Sequence, residues 1–360
     1  MKTHQVQQKT ERRISAALRL VFVAALLLGQ IALAFFLSTE LRQRAAIIYT
    51  VLELAAFGYA VRIYNRTDGT SYKFGWIFLV LTVPVVGLIL YFLWNGDRQQ
   101  KRLDLKKLPM PEEPEAQQAA HRIQMEKLRR KFPQWERLSV YLSRQGYLLY
   151  GDTETKYLPT GEAFLQDMLE KLEQAEHFIF LEFFIIAQGQ IWDRMEEIFR
   201  RKAAEGVEVK ILFDDFGSMM RFPAGQIEAL RESGVEVQIF NPVHHYVNRL
   251  YFNYRDHRKI VCIDGSTAYT GGANVADEYA NLTVRFGYWK DCGIRLDGPG
   301  AWGLTREFLH MWQRNGGQLM QERDYYRPHD HREAAGFCQP FVDGPDNNPI
   351  STAEDVFLHL

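Results

Sequence analysis

Hydrophobic residues are spread unevenly along the chain, and the first hundred positions hold two long apolar runs. Residues 20–37 read LVFVAALLLGQIALAFFL, with Gln30 as the only strongly polar side chain. Residues 74–94 read FGWIFLVLTVPVVGLILYFLW and carry no charge. About 20 apolar residues cross a hydrocarbon core as a helix, so both runs are expected to span a membrane. Residues 45–61, apolar apart from Glu53, form a third candidate span. Pro84 and Gly87 are tolerable in a lipid-embedded helix. Trp76, Tyr91 and Trp94 stand near the ends of the last run, where amphipathic rings favour the interface. The first run is too long for the apolar core of a cleaved leader, and more apolar segments follow it. Basic residues flank every segment, most densely as Arg98, Lys101, Arg102, Lys106 and Lys107. With two spans both ends share a side, which these flanks make cytoplasmic; with three, the ends fall on opposite sides. The expectation is a multi-pass protein of the cell membrane whose larger, C-terminal part faces the cytoplasm.

Beyond the last run the pattern changes. Residues 109–121, PMPEEPEAQQAAH, mix prolines with glutamates and read as a spacer. A basic helix is expected over 122–132, ended by Pro133. Helical spacing at 164–175 precedes FIFLEFFII at 178–186, a run apolar enough for a buried strand. A helix at 191–204, a strand VEVKILF, a helix at 227–233 and a strand VEVQIF follow. This β-α-β-α-β order implies an α/β fold, a parallel or mixed sheet flanked by helices. Residues 251–263 and 267–270 suggest a hairpin about Asp264-Gly265, a standard turn pair. A helix over 301–313 comes next. The expected organisation is a membrane anchor with two or three transmembrane helices (1–96), a basic and Pro/Glu-containing linker (97–137), an α/β lobe (138–335), and a closing segment (336–360).

Composition narrows the functions available. Lys plus Arg total 43 and Asp plus Glu total 44, for a net charge of -1, which argues against a nucleic-acid partner. The three cysteines are scattered, with no CxxC pair, so neither a disulfide framework nor a zinc ribbon is expected. His244 and His245 have no carboxylate or cysteine at ligand spacing, and no metal or other cofactor is expected.

One segment carries chemistry. NYRDHRKIVCIDGSTAYTGGAN, residues 253–274, contains His257, Lys259 and Asp264 as H-x-K-x-x-x-x-D. On an extended strand residues two apart share a face, so His257 and Lys259 project together. An imidazole can attack phosphorus while an ammonium holds the non-bridging oxygens. Gly271 and Gly272 permit close backbone approach to a ligand, and Asn274 offers an amide to a phosphate oxygen. The plainer reading makes His257 and Lys259 exposed edge-strand residues and Asp264 a turn former. Glu182 is the only charge in its apolar strand; it either orients a basic group of the site or faces outward from an edge. Asp214, Asp215 and Ser218 close a strand at the end where α/β sheets build sites, and turn duty explains them equally well.

HRKIVCIDGSTAYTGGAN resembles the HKD motif and downstream GGxN of the phospholipase D superfamily, and within it the bacterial cardiolipin synthases. YLPTGEAF, FIFLEFFI, ILFDDFGS, FGYWKDCGIRLDGPG and the helix through Phe308 and Trp312 follow that family's order. RTDGTSYKFGWIFLVLTVPVVGLILYFLW is similar to its membrane anchor. The resemblance implies a membrane-bound phosphatidyltransferase that makes cardiolipin from two phosphatidylglycerol molecules through a phosphohistidine, or a hydrolase of the same chemistry, or an inactive remnant. It makes His257 the nucleophile or its acid/base partner, Lys259 the phosphate-binding lysine, Asp264 a support for the histidine, and Asn274 a neighbour of the phosphate. The implied partners are phosphatidylglycerol and anionic membrane lipids. The motif occurs once here, whereas the resembling enzymes carry two. Residues 339–360 look like the opening of a second lobe, so the chain is expected to be incomplete and to act with a second HKD lobe or as a homodimer.

Overall fold

The computed structural model describes residues 42–66, 70–94, 114–242, 255–319, 336–344 and 352–360, with short pieces at 24–25, 28–32, 35, 325–326 and 334. These residues fall in two compact units, one ending by residue 94 and the other beginning at residue 114. His244 and His245 lie outside the described residues, as does most of the first apolar run.

The N-terminal unit contains α1 (Arg42–Tyr64), α2 (Thr70–Thr82) and α3 (Pro84–Trp94). Among the described residues, α1 alone holds a stretch long and apolar enough to cross a membrane, Ile47–Tyr64. The run at 74–94, expected to be one span, is instead two helices meeting at Val83. Pro84 has no N–H to continue the ladder, and its ring crowds the preceding turn. Gly87 then lies against the neighbouring helix, where a β-carbon would come within 2.5 Å of the Leu79 carbonyl oxygen. The Val86 N–H donates to Oε1 of Gln30 at 3.0 Å. The lone polar residue of the first apolar run thus serves a backbone group near the proline break, which lipid would leave unsatisfied. The Tyr91 ring packs edge to face against both Tyr59 and Trp76.

The second unit opens with α4 (Glu115–Lys131) and α5 (Glu136–Arg144). Its centre is a mixed seven-stranded sheet in the order β1-β7-β6-β5-β2-β3-β4. The strands are β1 (Glu154–Leu158), β2 (Phe178–Phe183), β3 (Glu208–Asp214), β4 (Glu236–Phe240), β5 (Lys259–Ile263), β6 (Thr267–Gly271) and β7 (Gly293–Asp297). β2, β3 and β4 run parallel, joined through α7 (Gln190–Ala204) and α8 (Ala224–Glu232), while β5 pairs antiparallel with β2. Lys259 therefore sits opposite Phe183, so the start of β5 lies at the carboxyl end of β2. That register puts the HKD segment at the end of the sheet where the parallel strands deliver their loops.

Strand alternation divides the core. Ile179, Leu181 and Phe183 face Phe164, Met168, Trp192 and Phe199 of α6 (Gly161–Leu172) and α7. Phe178 and Phe180 face the opposite layer, built on α9 (Ala301–Arg314). There Phe178, Phe180, Phe308 and Trp312 form a continuous stack, with centroid spacings of 4.4, 4.8 and 5.8 Å. Burial of each such ring contributes about 2–3 kcal/mol by area. The sheet is thus covered on both faces, as the strings of apolar residues in β2 and β3 require.

Residues 336–344 and α10 (Thr352–His359) pack on this same unit. Tyr150 and Cys338 exchange backbone hydrogen bonds of 2.8 and 2.9 Å, and the Tyr147 hydroxyl donates to the Val342 carbonyl at 2.9 Å. Asp343 caps α10 by accepting from the Thr352 and Ala353 N–H groups. Val342 and Val356 join the α9 layer, while Phe357, Leu358 and Leu360 stay exposed.

Candidate active site

The HKD segment enters over a buried carboxylate. Asp214 ends β3 with no exposed surface, accepts from the Phe216 N–H at 2.8 Å, and so caps the single helical turn Asp215–Ser218. Its other oxygen accepts from the Asp256 N–H at 2.9 Å, while the Arg255 guanidinium donates at 3.2 Å to the oxygen that Phe216 also holds. Burial pushes the Asp214 carboxyl up to about 6, against the pull of Arg255. Asp214 therefore braces the two residues that precede His257. Ser218 works nearby: its hydroxyl donates to the Phe184 carbonyl and accepts from the Ile186 N–H.

His257 and Lys259 meet, with Nζ of Lys259 3.2 Å from Nδ1 of His257 and donating to the His257 carbonyl at 2.7 Å. The Phe184 ring lies 4.7 Å from the imidazole and 5.8 Å from the ammonium. The imidazole is exposed, whereas Lys259 is buried along most of its length. Burial lowers the Lys259 ammonium to about 8, partly offset by Asp256 and Asp291. Burial and the Lys259 charge both lower His257 from its ordinary value. The lowering favours the neutral form of the imidazole, the form that can act as a nucleophile. His257, Arg258 and Lys259 together line a cavity of about 450 Å³ whose walls include Ile260, Leu296, Leu304 and residues 338–343.

Arg258, between them, lines the same cavity and is paired with buried carboxylates. Its guanidinium reaches Oε1 of Glu182 at 3.4 Å and lies 4.0 Å from Asp256. Glu182 is fully buried, which excludes the edge reading: it faces the basic segment from the neighbouring central strand. It meets the segment at Arg258.

Asp264 is not brought to this pair. Five residues of extended chain, about 17 Å at ~3.3 Å per residue, separate it from Lys259. Its carboxylate accepts from the N–H groups of Glu176, His177 and Phe178 at 2.9, 2.8 and 2.8 Å. Asp264 and Gly265 both have positive φ, 53° and 66°, as a type I′ turn demands. Asp264 thus builds the turn and ties it to the start of β2. Asp264→Ala is expected to lose about 1–3 kcal/mol of stability, with the rate per folded molecule close to that of the parent. Chemical denaturation alongside an active-fraction assay checks both halves.

Asn274 stands on the site's end of the sheet. Its Oδ1 accepts from the Ile185 N–H at 3.0 Å, and its amide donates to the Tyr279 hydroxyl at 2.9 Å. It fixes the loop after β2, directly beside Phe184. The two glycines before it make room for the chain itself. A β-carbon on Gly271 would meet the Cys292 carbonyl, and one on Gly272 would overlap the Asp291 carboxylate. Asp291 is the residue sequence reasoning missed: it approaches through the pairing of β6 with β7 and acts electrostatically on Lys259. Its signal was the position of Cys292-Gly293 opposite the two glycines, which only a known register exposes.

Residues 168–284 match the family model for the cardiolipin synthase, phospholipase D-like domain, and residues 54–95 match that of the phospholipase D-nuclease N-terminal region. An uncharacterised protein of Streptococcus mutans is 34% identical, over 84% of this chain and 66% of that protein. Cardiolipin synthase 2 of Bacillus anthracis is 31% identical, over 82% of this chain and 57% of its own length. The cardiolipin synthase of Alkalihalophilus pseudofirmus is 29% identical, over 86% and 62%. The chain therefore spans between 57% and 66% of the length of these curated relatives.

Proposed function

The chain carries a phospholipase D-like domain of the cardiolipin synthase family, and from that premise we propose that it is a membrane-bound phosphatidyltransferase joining two phosphatidylglycerol molecules into cardiolipin. The observation that carries this reading is the meeting of an imidazole and an amine, the His257 and Lys259 side chains, 3.2 Å apart at the carboxyl end of the parallel strands. A nitrogen of His257 attacks phosphorus; a P–N bond forms and the P–O bond to glycerol breaks. Lys259 holds the non-bridging oxygens as charge develops on them. The hydroxyl of a second phosphatidylglycerol then attacks phosphorus as its proton passes to the group that protonated glycerol, and the P–N bond breaks to release His257. Glycerol departs with a proton that a second histidine on the far side of phosphorus supplies, from a second HKD lobe or a second copy of this chain.

Lipid analysis of membranes expressing the chain tests the reading. Cardiolipin with free glycerol supports transfer. Phosphatidic acid would show instead that water is the acceptor, and an unchanged lipid profile, even on supply of a second HKD lobe, would contradict both.

The pH dependence follows from the pair. His257 gains a proton as pH falls through its lowered value, so the acid limb lies below the usual imidazole 6.5. Lys259 loses its proton as pH rises through about 8, so the rate falls above that pH. A p-nitrophenyl phosphodiester, whose leaving group needs no proton, isolates these two limbs. Lys259→Arg is expected to be severely impaired, because a planar fork replaces a compact ammonium. Its residual rate should lack the limb near 8, since a guanidinium stays charged. Persistence of that limb would assign it to another group.

A further inference from the structure

The loop at 282–288, between the Asn274 and Asp291 sides of the site, exposes its apolar side chains in a way that folding alone does not explain. Val284 is 86% exposed, Phe286 74%, Tyr288 70% and Leu282 47%. The loop is braced in this form. Asn281, left-handed at φ 52°, closes the neck: its Oδ1 accepts from the Trp289 N–H at 2.7 Å, and its amide donates to the Trp289 carbonyl and to Glu162. The Tyr288 hydroxyl donates to the same Glu162 carboxylate at 3.2 Å. Midway, Arg285 donates to Glu278, which is also held by a two-pronged contact from Arg221 at 2.6 Å. Two guanidiniums share that one buried carboxylate, and Arg285 keeps its side chain 48% exposed. Met220, beside Arg221, adds another exposed apolar side chain at 59%.

We propose that the loop 282–288 is a membrane-docking element that seats this unit on the surface of an anionic bilayer. A contiguous exposed apolar patch marks an interaction site. Aromatic and aliphatic tips mixed with arginine match the interface between headgroups and acyl chains. Arg285 and Lys290 are exposed while Glu278 is buried, and anionic headgroups attract each nearby basic side chain by about 1 kcal/mol. The same chain carries a helix, Ile47–Tyr64, able to cross a bilayer, which keeps a lipid surface at high local concentration. Seating the loop brings Asn274 and Asp291, and with them the His257–Lys259 pair, to the level of lipid headgroups.

The test uses the full chain in vesicles and needs no turnover, so it is made equally well on the His257→Ala protein. With Cys292 and Cys338 changed to Ser, a nitroxide is placed at Phe286→Cys or Val284→Cys, and at Glu232→Cys as an exposed control. In phosphatidylglycerol vesicles the loop labels are expected to be several-fold less accessible to a water-soluble nickel complex than the control. They should also be more accessible to dissolved oxygen, and both differences should shrink in vesicles of phosphatidylcholine alone. Nickel accessibility equal to that of Glu232→Cys would overturn the proposal. Protection that persists in detergent, or spin–spin broadening that grows with the protein-to-lipid ratio, would overturn it in favour of a protein covering the loop.

Discussion

His257→Ala is expected to insert into membranes as the parent does and to lose roughly 10⁴-fold or more of its turnover, as removal of a covalent nucleophile does elsewhere. The imidazole is exposed, so its loss removes little packing. It touches the Phe184 ring and Lys259, and neither contact holds an element of the fold together. The defect should therefore appear in kcat, with the thermal midpoint nearly unchanged. A variant that retained substantial turnover would move the chemistry away from this motif.

Arg258→Ala, one residue along, has the opposite profile. Arg258 faces Glu182 and Asp256, both without exposed surface, and is itself 8% exposed. Deleting one member of a buried charge cluster typically costs about 3–5 kcal/mol, because the remaining charges keep their desolvation penalty. The expectation is a loss of that size by denaturant titration, large against a typical total stability of about 5–15 kcal/mol. Glu182→Gln in the Arg258→Ala background should recover part of it by removing a charge. Activity falls with the folded fraction, and a specific effect on kcat in the folded remainder follows only if His257 and Lys259 shift. An undamaged fold in Arg258→Ala would show that this cluster is not structural.

The parts of this account that were legible in the sequence share a cause. β2 and β3 show as largely apolar runs, because strands covered on both faces leave few polar positions, and β4, at the edge, shows as the alternating VEVQIF; Gly206 and Gly234 punctuate them. The meeting of His257 with Lys259 follows from the two-residue period of extended chain. β1 and β7 were illegible: ETKYL is an edge strand with four exposed positions, and GIRLD is short and opens on glycine. The apolar run at 74–94 was legible as membrane-like in composition but not in shape, since length alone ignores Pro84 and the contact at Gly87. Asp264 sits in the motif with the reactive pair, yet its geometry is that of the turn former, because a five-residue strand lies between them. Asp291 reaches Lys259 only through strand pairing, and a linear pattern holds no trace of that.

The central claim, that His257 is the covalent nucleophile, is tested most directly by trapping the intermediate. The full chain in micelles is mixed with a p-nitrophenyl ester of radiolabelled phosphatidic acid, whose leaving group departs without a proton donor, and quenched in alkali within one turnover. The account predicts a burst of p-nitrophenolate matched by protein-bound label that is stable in base, labile in acid, and carried by the peptide containing His257. Label of the same amount on the His257→Ala chain, or label on any other residue of the parent, would contradict it.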